Sequence, residues 1–111
     1  MNRLRVGVVG AGMIAQVEHI PNLLALREKF ELVGVADPSH TVRSALAERH
    51  GIGVFPTLEA LLEERLDALV VAVPDALHAD TVLAGLDAGL HVFCEAALLH
   101  RAGGRRDRAP P

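Results

Sequence analysis

The hydrophobic residues of the chain fall into short runs that alternate with segments of helical spacing. Five of these runs have the length and apolar character of buried strands, and glycine or proline follows most of them. Because the connections are long enough only for crossover helices, the pattern predicts an α/β fold with a doubly wound parallel sheet of about five strands. The predicted strands are Leu4 to Val9, Leu32 to Ala36, Gly53 to Phe55, Ala68 to Val73 and His91 to Cys94.

Helices are predicted in the gaps between these strands. The first is expected to open near Met13 and to run toward His19, where Pro21 interrupts it before one or two further turns. The others are predicted from Thr41 to His50 with Gly51 as C-cap, from a cap at Thr57, and from Leu77 to Ala88 with Gly89 closing the helix.

Composition adds that the core is built from aliphatic side chains. Half of the 111 residues are hydrophobic, yet the aromatic ones are only Phe30, Phe55 and Phe93. Val, Leu and Ala cores are typical of parallel sheets covered by helices. The single cysteine, Cys94, excludes an internal disulfide and favours a reducing, cytoplasmic location. Its apolar run predicts a buried, unreactive thiol.

Charge and hydropathy argue against several partner classes. Residues 1–100 carry seven basic and thirteen acidic side chains, whereas residues 101–111 carry four arginines and one aspartate. An acidic body gives no support to nucleic-acid binding, and no apolar run approaches the roughly 20 residues of a membrane span. Arg3, Arg5 and the following apolar stretch imitate a signal peptide, but two glycines break that stretch. The six histidines show no metal-binding spacing, so no metal is expected.

The strongest chemical motif is "GAGMIA", residues 10–15, directly after the first predicted strand. It matches the pattern G-x-G-x-x-A, in which Gly10 permits a tight turn and Gly12 lets the backbone approach a pyrophosphate. Ala15 allows close packing of helix on strand. The free N–H groups at the start of the helix, near Met13 and Ile14, suit phosphate oxygens. The motif therefore predicts a dinucleotide site on a Rossmann-like fold.

Asp37 ends the second predicted strand, where a carboxylate accepts hydrogen bonds from the ribose hydroxyls of a dinucleotide. Its charge repels a 2′-phosphate and favours NAD. Ser39 and Arg43 lie close enough in sequence to weaken that preference, so NADP stays an alternative. Two other interpretations remain open at this point: an ordinary strand–helix turn followed by an Asp-Pro turn, and a methyltransferase-like domain.

Residues 4–95 resemble the N-terminal domain of the glucose–fructose oxidoreductase, inositol dehydrogenase and MocA-type (GFO/IDH/MocA) oxidoreductases. The resemblance lies in "RVGVVGAGMIA", "HIPNL", "ELVGVADPS" and "TLEALLEERLDALVVAVPDALHADTVLAGLDAGLHVFCE". The last stretch is similar to the family's P-N-x-x-H, A-G-x-H-V and E-K-P patterns, with Asp75 where Asn is frequent. The resemblance implies that Pro74, Asp75 and His78 lie beside the nicotinamide end of the cofactor and that Glu95 ends the fifth strand.

The resemblance also shows where the chain departs from the family. Ala96 and Ala97 stand where the family has Lys-Pro, and the family's lysine takes part in proton transfer. Family members continue into a second domain that supplies most of the substrate pocket. We therefore expect a dinucleotide-binding domain over residues 1–95, a divergent and disordered tail over residues 96–111, and a truncated or frame-shifted product with no second domain.

These observations predict an NAD(P)-binding domain that does not transfer hydride alone, and they nominate no catalytic residue. The alternatives are a non-catalytic module that binds a partner, such as a separate substrate domain, through its unfinished sheet edge, and a non-functional fragment. The exposed edge strand His91 to Cys94 is also expected to make the chain dimerise or aggregate. The predicted cofactor contacts are Gly10, Gly12, Met13, Ile14, Asp37, Arg43, Pro74, His78 and Glu95.

Overall fold

The computed structural model describes residues 3–12 and 15–94, and its five strands form one parallel sheet. The strand order is β3-β2-β1-β4-β5, and each neighbouring pair is parallel. This confirms the predicted doubly wound α/β fold. The strands are β1 (Leu4–Val9), β2 (Phe30–Ala36), β3 (Gly53–Phe55), β4 (Ala68–Val71) and β5 (His91–Cys94).

Four α-helices cover the two faces of the sheet. Side chains of the first two pack into one apolar cluster with Val8 and Val35, and side chains of the last two pack into another with Leu69 and Val71. These four strand residues are fully buried. Burial on both faces explains why the strands are continuous hydrophobic runs rather than alternating ones. The helices are α1 (Ile20–Ala25), α2 (His40–His50), α3 (Leu58–Leu62) and α4 (Asp75–Asp87).

Two strand boundaries differ from the sequence prediction. β2 begins at Phe30 rather than Leu32, because Phe30 pairs with Leu4 at the start of β1. β4 ends at Val71, two residues before the predicted end. The order of the sheet reverses at β1, since β2 lies on one side of it and β4 on the other. Such a reversal leaves a crevice at the carboxyl ends of the strands.

The prediction that Pro21 interrupts the first helix is wrong. A π-helical turn covers Ala15–His19, and α1 follows at once with Pro21 in its first turn. Proline is tolerated there because the first N–H groups of a helix lack an intrahelical partner. The predicted start near Met13 lies outside the described residues.

α4 begins earlier than predicted and buries a different stripe. Pro74 is its N-cap residue, and its sheet-facing side carries the buried Thr81 and Gly85. A Cβ on Gly85 would lie 2.9 Å from a methyl carbon of Val92, so glycine allows the helix to approach β5 closely. Leu77 and Leu86 of this helix are more than half exposed.

Candidate functional site

A cavity of about 950 Å³ opens at the carboxyl ends of β1, β2 and β4, at the point where the strand order reverses. Its floor includes Gly10, Gly12, Asp37 and Pro74, which are four of the residues that the sequence predicts to bind a cofactor. The structure therefore brings the glycine turn, the acid after β2 and the start of α4 to one place.

Gly10 is required by the protein's own backbone. Its φ is 92°, which favours glycine, and a Cβ there would lie 2.4 Å from the carbonyl oxygen of Ala72. Its N–H donates to the carbonyl of Ala36 at 2.8 Å. The turn after β1 is thereby held against both neighbouring strands, and no larger residue fits at position 10.

Gly12 is exposed, and its surroundings are open. A Cβ built on it would meet no described heavy atom within 4 Å beyond its chain neighbours. The lack of a side chain therefore leaves space on the cavity side rather than relieving a clash inside the protein. Ala15, at the third position of the motif, is fully buried, as predicted for close helix–strand packing. Met13 and Ile14 lie outside the described residues.

Gln16 stabilises the glycine turn, and sequence reasoning missed it. Its side-chain amide donates to the carbonyl of Ala11 at 2.6 Å, and its N–H donates to the carbonyl of Gly12 at 3.0 Å. Gln16 lies in the π-helical turn Ala15–His19, a geometry that is frequent at functional sites. Periodicity does not reveal such a turn because it adds one residue to an otherwise helical segment.

The Asp37 carboxylate links the turn after β1 to the turn after β2. One carboxylate oxygen accepts the N–H of Ala11 at 2.9 Å, and the other accepts the N–H of Ser39, also at 2.9 Å. A carboxylate has about four acceptor positions, so capacity is left for a ligand hydroxyl. The sequence predicted the position of Asp37 at the site but not that this side chain fixes the glycine turn.

Arg43 does not line the cavity among the described residues. Its guanidinium donates to the main-chain carbonyl of Asp37 at 2.9 Å, which keeps it close to the acid. Ser39 is also engaged, because its hydroxyl accepts the N–H of Val42 and caps α2. The side chains of Arg43 and Ser39 therefore stabilise the β2–α2 turn in this structure.

The β4–α4 junction supplies the other predicted contacts. Pro74 lines the cavity, whereas His78 lies one turn along α4 and is half-buried outside the lining. The Nε2 atom of His78 is buried and has no hydrogen-bond partner among the described residues. Glu95 lies outside the described residues.

Over the described part of the chain, no group of three His, Cys, Asp or Glu side chains is arranged to hold a metal ion. None of the helices in that same part is long and apolar enough to cross a membrane. Cys94 is only half-buried, yet burial raises the pKa of its thiol, which disfavours the reactive thiolate.

Residues 4–99 match the sequence model of the oxidoreductase family GFO_IDH_MocA, whose members have an NAD-binding Rossmann fold. The chain belongs to this GFO/IDH/MocA family. It is 37% identical to D-glucoside 3-dehydrogenase of Escherichia coli over 94 residues, covering 83% of this chain and 26% of the relative. It is 33% identical to an inositol 2-dehydrogenase of Corynebacterium glutamicum over 97 residues, covering 86% and 28%.

Solved structures of GFO/IDH/MocA-like enzymes agree with the fold. The WlbA dehydrogenase from Bordetella pertussis, in complex with NADH and UDP-GlcNAcA, is 31% identical with a TM-score of 0.79, over 87% of this chain and 30% of that one. KijD10, a 3-ketoreductase from Actinomadura kijaniata in complex with NADP and TDP-benzene, is 35% identical with a TM-score of 0.79, over 87% and 30%. The chain therefore spans less than a third of the length of these relatives.

We expect substitutions at the two glycines to separate folding from binding. Gly10→Ala should lower the free energy of unfolding by at least ~3 kcal/mol, because the new Cβ meets backbone and the positive φ is strained. Gly12→Val should leave stability within about 0.5 kcal/mol and abolish NADH binding. Urea denaturation and calorimetric titration measure the two effects. Unchanged NADH affinity in Gly12→Val would contradict the site.

Proposed function

We propose that the described fold binds a nicotinamide dinucleotide across the carboxyl ends of β1, β2 and β4. The observation that carries this proposal is the open space over Gly12, next to an acid that is already fixed by the same turn. In the proposed arrangement the pyrophosphate lies over Gly12 and the adenosine ribose hydroxyls donate to Asp37. The nicotinamide end extends toward Pro74 and the N-terminal turn of α4, near the Nε2 of His78, which has no partner among the described residues.

Electrostatics favours NAD over NADP in this arrangement. Among the described residues that line the cavity, the charged ones are Asp37, Glu59 and Asp80, and all three are acidic. Arg43, the nearby cation, already donates to the carbonyl of Asp37. A 2′-phosphate beside Asp37 would place like charges together in a partly enclosed space, which costs binding free energy.

The cofactor preference is tested by neutralising the acid while keeping its shape. Asp37→Asn should raise the ratio of NADPH affinity to NADH affinity by about tenfold, because repulsion of the 2′-phosphate is removed and one side-chain oxygen still accepts a backbone N–H. Glu48→Gln, an exposed change elsewhere on α2, is the control and should leave the ratio unaltered. Tighter binding of NADPH than NADH by the unmodified chain would overturn the proposal.

We further propose that the 111-residue chain binds the cofactor without transferring hydride by itself. NAD accepts a hydride, but a substrate must be held near it and its hydroxyl proton must be removed. Positioning of the substrate is worth roughly 7–11 kcal/mol and a general base on the order of 10²- to 10⁴-fold in rate. The described lining contains no Lys, His, Tyr or Arg, and Ala96 stands where the family has lysine.

Turnover assays on the purified chain should therefore show no reduction of NAD with sugars, polyols or inositols. The same preparation must bind NADH in a titration, so that a missing rate is not mistaken for a misfolded sample. Ala96→Lys combined with Ala97→Pro should not create activity, because substrate positioning is the larger requirement. Saturable turnover that disappears in His78→Ala would show that this short chain is an enzyme after all.

A second function is favoured by the sheet edge. β5 is an outer strand in the described sheet, paired only with β4, and Phe93 is 59% exposed. An apolar edge that presents free N–H and C=O groups promotes pairing with another chain. We propose that two copies associate, or that the chain aggregates, through His91–Cys94.

Phe93→Lys should shift the chain toward the monomer, because a charge on an edge strand opposes edge-to-edge pairing. Leu26→Lys is the matched control, since Leu26 is 49% exposed at the end of α1. Sedimentation at increasing protein concentration measures both variants. A wild-type chain that stays monomeric at high concentration would contradict association through β5.

A further inference from the structure

Beyond the glycine turn, the cavity lining includes residues from two further parts of the chain, called walls here, and the part of the cavity that they line is called the slot. One wall is the segment after β3, with Pro56 and Leu58, and the other is α4, with Leu77 and Ala84. Leu77 and Ala84 are seven residues apart on α4, so they lie on one face of the helix two turns apart. Apolar side chains from two separate elements suit a flat aromatic ring such as a nucleotide base.

Asp80 lies on the same face of α4 as Leu77 and Ala84, one turn after Leu77, and it lines the cavity. Within residues 3–12 and 15–94, its carboxylate has no hydrogen bond or ion pair. Asp37 differs in this respect, because both of its oxygens accept backbone N–H groups. Asp80 is therefore an exposed acceptor in the slot with no partner among the described residues.

We propose that Asp80 is the residue that selects the base of the bound dinucleotide, by accepting a hydrogen bond from the 6-amino group of adenine. This inference rests on the proposed dinucleotide function. With the ribose held at Asp37, the base enters the slot between Leu58 and Leu77, and its amino edge faces α4. A carboxylate is an acceptor only, so it matches an amino group and repels a carbonyl oxygen at the same place.

Glu59 is the other acid in the slot, and the structure favours Asp80 over it. Glu59 lies in the first turn of the five-residue α3, where its charge faces the positive end of that helix. Asp80 has a shorter side chain and lies in the thirteen-residue α4, directly before the buried Thr81. A short side chain on a well-anchored helix loses less conformational freedom when it binds one edge of a base.

The test compares NADH with its hypoxanthine analogue, reduced nicotinamide hypoxanthine dinucleotide, by calorimetric titration of the 111-residue chain. The analogue has a carbonyl oxygen in place of the 6-amino group, and its N1 atom carries a hydrogen where the N1 of adenine is an acceptor. The wild-type chain should bind NADH about tenfold more tightly than the analogue, as expected for one hydrogen bond to a charged group. Asp80→Asn should reduce this ratio to within about twofold, because an amide donates to a carbonyl as readily as it accepts from an amine.

Two matched variants complete the experiment. Asp87→Asn makes the same chemical change on α4 at an exposed position outside the cavity lining, and it should keep the tenfold ratio. Glu59→Gln should keep it too, and loss of the ratio there instead would overturn the assignment to Asp80. Equal binding of the two dinucleotides by the wild-type chain would overturn the base selection alone. Failure of both to bind would overturn the dinucleotide function as well.

Discussion

The geometry of the site depends on how closely the turn after β1 passes over the end of β4. At Gly10 the backbone lies so near the carbonyl of Ala72 that a single Cβ would collide with it. This contact joins the two halves of the sheet where the strand order reverses, and it fixes the direction in which the chain leaves β1. The Asp37 carboxylate then holds the next residue of the turn to the end of β2. The cavity is thus bounded by backbone that cannot easily shift.

The three acids that line the cavity differ in their hydrogen bonds to the protein. Asp37 is held by two backbone N–H groups, so its position is fixed before any ligand binds. Glu59 and Asp80 have no such partners among the described residues and line the cavity from two different helices, α3 and α4. Because all the charged residues of the described lining are acidic, they repel a 2′-phosphate. The same carboxylates can accept hydrogen bonds from amino and hydroxyl groups of a ligand. In the proposed complex, one distribution of charge would therefore act on both the ribose and the base of the adenosine.

Hydrophobic periodicity was sufficient to predict the order of strands and helices, because strands that are buried on both faces appear in the sequence as apolar runs. The glycine turn and Asp37 were found for a similar reason, since each follows directly from a strand end. What could not be predicted depends on contacts between distant segments. The hydrogen bond from the N–H of Ala11 to the carboxylate of Asp37 joins residues 26 positions apart. Gln16, which donates to the carbonyl of Ala11, lies in a π-helical turn, and such a turn does not follow the 3.6-residue period of an α-helix. The exposure of Leu77 likewise follows from the cavity it faces, not from the helix that carries it.

The two halves of the sheet differ in how completely helices cover them. The cavity and the exposed edge strand therefore lie in different parts of the sheet. Val8 and Val35 are fully buried beneath α1 and α2, whereas Phe93 lies beside Val70 on that same face and is 59% exposed. The cavity is built from β1, β2, β4 and the start of α4, and β5 contributes no lining residue within the described chain. A partner added along β5 would therefore extend the sheet without crossing the dinucleotide crevice. Nucleotide binding and pairing through the edge are physically compatible, and a change at one need not alter the other.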